Sequence, residues 1–179
     1  YKKGQYAEAE NLFKRSLEIK EKVFGKEHPD IASIINDLAN LYYTQSRLDD
    51  AELFYKKSLE IRKKIFGPDH RIVSETLMNL GNIFNLQGRY TETEEAYNRS
   101  IEIFEKAEGP DHPDLAVYLG NFGLLYIDQG QYSKAESTLN RSLKIYEKAL
   151  GANHPEVAIV LSNLFTLNSK WGRSPRQNR

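Results

Sequence analysis

The sequence has no cysteine, one methionine, one tryptophan and only six prolines in 179 residues. Without cysteine there is no disulfide and no thiolate to act as nucleophile or metal ligand, and the expected setting is the cytoplasm. Charge of one sign is lacking too, since 25 Lys plus Arg stand against 25 Asp plus Glu. A binder of phosphate backbones needs a basic surplus, so nucleic acid is not an expected partner. No apolar run approaches the ~18 residues of a membrane span, so no membrane role is expected. No signal peptide is visible, and the chain opens without Met at Tyr1, inside a helical pattern. It therefore reads as a fragment preceded by further units. The glycines stand singly, which excludes a phosphate-cradling loop, and no Ser–His–Asp arrangement rises above chance. No enzyme activity, catalytic residue, metal or cofactor is expected.

What the chain does have is a repeat. Gly25, Gly67, Gly109 and Gly151 lie 42 residues apart, and so do His28, His70, His112 and His154, all the histidines present. Ser16, Ser58, Ser100 and Ser142 keep the same period, as do Ile19, Ile61, Ile103 and Ile145, and Glu10, Glu52, Glu94 and Glu136. Five coincident series make the repeat certain, and a fixed period of 20–50 residues marks an array of stacked units.

Each unit reads as two helices. The first starts near Pro29, Pro113 or Pro155, where the missing N–H of proline costs nothing. Asp69, Asp111 and Asn153 lie just upstream and are the expected acceptors for the exposed N–H groups. Apolar residues then follow at helical spacing, as in Leu77, Leu80, Ile83 and Phe84. The helix ends at Ser46, Gly88 or Gly130, where glycine suits a left-handed cap. A second helix follows at once, with Leu48, Ala51, Phe54, Tyr55, Leu59 and Ile61 on its apolar stripe. Two such helices cannot bury both faces alone, so neighbouring units must stack. Residues 1–172 are expected to form the array: a partial unit at 1–25, units at about 29–67, 71–109 and 113–151, a last single helix at about 155–170, and a tail at 173–179. Residues 1–3 read as the end of a preceding first helix.

The order small residue, aromatic, Gly, Tyr, Ala-Glu stands here as Gly123, Tyr126, Gly130, Tyr132 and Ala135-Glu136. It resembles the tetratricopeptide signature. HEAT repeats match the period alone and lack this ordered series. The 42-residue length, with Gly-Pro-Asp-His-Pro-Asp at 109–114 and Arg-Ser-Leu-Lys-Ile-Tyr-Glu-Lys at 141–148, resembles kinesin light chain repeats in particular. The resemblance implies an all-α, right-handed superhelical solenoid of antiparallel helix pairs, whose first helices line a concave groove. It also implies a scaffold that binds a protein or an extended peptide.

Groove positions follow from the same resemblance. Asn36, Asn40, Asn79, Asn82, Asn121 and Asn163 are the candidate peptide-binding residues, because asparagine offers a donor and an acceptor to any backbone. In related proteins, asparagines at the Asn79 and Asn121 positions hold a ligand peptide in this way. The alternative is that these amides pair with adjacent helices. The inferred lining holds Asp37, Glu75 and Asp128 but only Lys170 as a cation, so the convergent cations of an acidic-peptide clamp are missing. Met78, Leu86, Leu124 and Ile127 are the expected apolar anchors, and Arg47, Arg89 and Arg173 stand at the rim. The four histidines invite a metal reading, yet they recur one unit apart and are expected to bond within their own units. Lys and Arg on the second helices alternate with Glu, as on a solvated, ion-paired face. Phe165, at the place of Ala39, Gly81 and Gly123, reads with Trp171 as a cap on the last helix. An uncapped end would instead support a homodimer, so a self-assembly or regulatory module of a larger multidomain protein is the competing function.

Overall fold

The structure is a computed structural model that describes residues 3–172. Among them stand eight α-helices and no strand: α1 (Lys3–Phe24), α2 (Pro29–Thr44), α3 (Leu48–Phe66), α4 (Arg71–Leu86), α5 (Tyr90–Glu108), α6 (Pro113–Asp128), α7 (Tyr132–Leu150) and α8 (Pro155–Trp171). Lys3 belongs to α1, so it is not the end of an earlier helix; Tyr1 and Lys2 lie outside the described residues. The helices of the first kind run for 16 or 17 residues and α3, α5 and α7 for 19, so the surplus over a ~34-residue unit sits largely in the second helix. The chain divides into two compact units, Tyr1–Ala107 and Glu108–Arg179.

In the first unit the core gathers Ile34, Leu38, Tyr42, Tyr55, Ile83 and Phe84, with Phe13 and Leu17 of α1 packed against it. In the second, Leu115, Leu119, Phe122, Leu139, Tyr146, Val157 and Leu167 are buried. The periodic serines join the two kinds of helix. Ser58 donates to the Ala32 carbonyl, Ser100 to Ser74 and Ser142 to Ala116, at 2.8, 2.7 and 2.8 Å, and all three bonds are buried. Each contributes about 1 kcal/mol net, and losing the hydroxyl would leave the arrangement one buried bond short.

Helix starts differ from expectation in which residue caps them. His28, His70, His112 and His154 occupy the N-cap in extended conformation, and each Nδ1 accepts from the backbone N–H two residues on. The upstream acids serve elsewhere: Asp69 binds Arg99 and Lys106, and Asp111 binds Lys148 at 2.5 Å. Helix ends follow the left-handed cap. Ser46, Gly88 and Gly130 have φ of 59°, 72° and 69°. The next N–H then reaches back five residues, Arg47 to Tyr42, Arg89 to Phe84 and Gln131 to Tyr126.

Candidate binding face

The six asparagines all sit on first helices, and the structure sorts them into three kinds. Asn40 and Asn82 are engaged: each Oδ1 accepts the hydroxyl of a second-helix tyrosine, Tyr55 and Tyr97 respectively. Burial raises both hydroxyl pKa values, that of Tyr55 to about 12, so they remain donors at any ordinary pH. With its oxygen held, each amide keeps its N–H₂ donors for other acceptors. The Oδ1 of Asn36 is buried without a hydrogen-bond partner. Asn79, Asn121 and Asn163 make no side-chain hydrogen bond with described residues, and none is fully buried.

Other expected lining residues move. Met78 is 4% exposed and Ile127 2%, so both belong to the core, whereas Leu86 and Leu124 face solvent. Lys170 is held by Asp128 at 3.1 Å and Glu75 by Arg71 at 3.3 Å. The rim arginines are committed as well. Arg47 binds Glu10 and Asp50, and Arg89 binds Glu52 and Glu92, which leaves little for steering an acidic partner. Arg173 lies outside the described residues.

Arg62 is the residue that sequence reasoning missed. It is 6% exposed, and its Nη1 donates to Thr76 Oγ1 at 2.6 Å and to the Ile72 carbonyl at 3.4 Å, while its Nε–H has no partner. It lies near Asp37, whose carboxyl pKa is raised by burial and partly brought back by this guanidinium. Embedded in Arg62-Lys63-Lys64, it reads as one more solvated cation. Its counterparts at the 42-residue period are Lys20, Phe104 and Tyr146, and two aromatics there were the available sign that this position points inward.

Helix pairs of this kind, repeated at a fixed period, have relatives among known proteins. The family model described as tetratricopeptide repeat matches residues 1–64 and 72–148. The chain belongs to the tetratricopeptide repeat family. No curated protein matches it. Among solved structures, BtubC (BKLC) from P. vanneervenii is similar with a TM-score of 0.85 at 24% identity, over 94% of this chain and 67% of that one. The nearly identical TPR-like repeats of kinesin light chain type from Podosopora anserina give 0.80 at 21% identity, over 98% of this chain and 83% of theirs. A point variant of those repeats gives 0.81 at 21%, over 98% and 82%. At these identities the likeness speaks for the fold.

A tetratricopeptide array is a scaffold for protein–protein interaction, which is the level of function the family supports. The histidines act within the fold. Each spends Nδ1 on a helix start, and Phe24 and Phe66 stack on His28 and His70 at 4.5 and 4.9 Å between ring centres. Among the described residues no three His, Asp or Glu side chains are grouped to hold a metal ion, and no helix is long and apolar enough to cross a membrane.

Proposed function

We propose that this tetratricopeptide chain is a non-catalytic scaffold that holds an extended polypeptide against its first helices, as kinesin light chain-type repeats do, in the cytoplasm. The observation that carries the reading is that Asn79, Asn121 and Asn163 keep their amides unengaged by the described residues. Asparagine is a poor interior helix former, and an amide with both donor and acceptor available suits a peptide backbone of any sequence. Asn40 and Asn82 would contribute N–H₂ donors oriented by Tyr55 and Tyr97, and Asn36 would pair its buried oxygen as the ligand settles. Leu86 and Leu124 supply apolar contact beside them.

The test is a fluorescence-polarisation screen of extended peptides against the intact chain and an Asn79→Ala, Asn121→Ala double variant. The reading expects at least tenfold weaker binding by the variant; equal binding by both proteins rejects the asparagines as backbone clamps.

One observation favours self-assembly as a second reading. Phe165 is 73% exposed among the described residues, whereas Trp171 stacks on Tyr132 at 6.1 Å. A mass that rises with concentration in sedimentation, and stays constant for Phe165→Lys, would support association through α8.

A further inference from the structure

Arg62 of α3 is 6% exposed, and both of its hydrogen bonds leave from Nη1, to Thr76 Oγ1 and to the Ile72 carbonyl. The side edge of the fork, Nε and Nη2, is therefore unbonded among the described residues, and Nε is fully buried. Leaving a buried charged donor unpaired is costly, and native proteins keep few such groups. Two carboxylates act on this guanidinium, those of Glu75 and Asp37. Glu75 is held by Arg71 at 3.3 Å. Asp37 makes no hydrogen bond or ion pair with a described residue, although Arg62 is close enough to be felt by its carboxyl.

The repeat shows that this pairing belongs to one register. At the place of Arg62 the chain has Lys20, Phe104 and Tyr146, and at the place of Asp37 it has Asn79, Asn121 and Asn163. Lys20 is spent on Asp30 at 2.7 Å, Phe104 is buried, and the Tyr146 hydroxyl bonds Glu156. Only in the unit of α2 and α3 does a buried guanidinium with an unbonded edge stand near an unbonded carboxylate, among the described residues. Asp37 occupies the position of the asparagines proposed above to hold a polypeptide, so the pair belongs to the same face of the first helices.

We infer that Arg62 and Asp37 together receive a primary carboxamide, the side-chain amide of a glutamine or asparagine on the bound polypeptide. Its oxygen accepts from the unbonded edge of Arg62, and its N–H₂ donates to the Asp37 carboxylate. The pair is neutral as a whole, so a ligand carboxylate meets Asp37 and a ligand ammonium meets Arg62 as a like charge, which is discrimination by repulsion. A carboxamide carries no charge and presents acceptor and donor side by side on one end. The inference rests on the proposed function in one respect, that a polypeptide lies on the first helices; it does not need the asparagines to be the clamps.

The experiment titrates the intact ¹⁵N-labelled chain at pH 7 with the N-acetyl methylamides of glutamine, asparagine, glutamate and lysine. Glutamate keeps the shape of glutamine and adds a charge. The glutamine or the asparagine probe is expected to shift the Arg62 Nε–H signal and the backbone amide of Asp37, with glutamate and lysine at least fivefold weaker. Asp37→Asn gives α2 the residue that α4, α6 and α8 carry at this place, and it leaves Arg62 unopposed. It should reverse the order, so that glutamate binds at least threefold tighter than glutamine. Arg62→Met should abolish the shifts while far-ultraviolet circular dichroism stays native; if it unfolds, Asp37→Asn decides alone. No shift at Arg62 and Asp37 with either carboxamide, equal response to glutamine and glutamate, or an unreversed order in Asp37→Asn overturns the proposal. Any of these results, with peptide binding still weakened by the Asn79→Ala, Asn121→Ala double variant, would overturn it while leaving the asparagine reading standing.

Discussion

A Cβ placed on Gly81 would stand 2.5 Å from two ring carbons of Tyr97. The two helices therefore meet at a distance that only glycine permits, and Gly123 meets Leu139 in the same way at 2.6 Å. Overpacking a close crossing costs roughly 1–3 kcal/mol, against which alanine gains about 1 kcal/mol in helix propensity. Gly81→Ala is expected to destabilise by about 1 kcal/mol, read as a lower urea midpoint. An unchanged or higher midpoint would show that Tyr97 can yield.

His154 caps α8 through Nδ1. Removing a cap costs ~1 kcal/mol, so His154→Ala should lose about that much in equilibrium unfolding. His154→Asn, whose oxygen can accept from the same N–H, should recover most of it. If both variants match the parent, the imidazole is not the cap.

Ser46 holds the left-handed conformation, φ 59°, that Gly88 and Gly130 hold in later units. A residue with a Cβ pays roughly 1–2 kcal/mol there, partly offset by the greater chain entropy of glycine. Ser46→Gly should raise stability by about 0.5–1 kcal/mol; a lower melting temperature would contradict it.

Glu52 should give the chain an acid limb of instability. Burial pushes its pKa up, but hydrogen bonds from Lys56, Arg89 and Gln87 outweigh this and hold it below the usual 4.5. A carboxyl depressed in the folded state stabilises above its unfolded pKa and loses that contribution as pH falls through the folded value. Stability should therefore fall with pH below about 4.5. Arg89→Met should lower stability at pH 7, because it removes a charged donor to Glu52, and should flatten the slope below pH 4.5. An unaltered slope would assign the acid limb to other carboxylates, with Glu10 and Asp69 next in line because theirs are lowered too.

Much of the architecture was legible because it repeats. Periodic apolar residues and Gly or Pro punctuation mark the helices, and a one-residue slip would break five series together. The caps were not legible, because Asp and Asn outrank His as N-caps in general, while here ion pairs claim Asp69 and Asp111. Met78 and Ile127 were misplaced for a different reason. A helix exposes an arc, and a position at its edge is buried or open according to the neighbour, which spacing alone does not specify. The asparagines of the first helices were visible as a repeated pattern. That Tyr55 and Tyr97 hold two of its members required the partner helix, since each pair is 15 residues apart across a turn.

The hydrogen bonds that tie helix to helix return at fixed reaches. They span 15 residues from tyrosine to asparagine, 26 from serine to carbonyl, 37 from Arg89 to Glu52 and 42 from Lys170 to Asp128. Such short loops are cheap to close and low contact order favours rapid folding. Folding can then start at any helix pair and spread to its neighbours, and a lesion in one pair weakens the adjoining pairs while distant ones keep their local protection from hydrogen exchange.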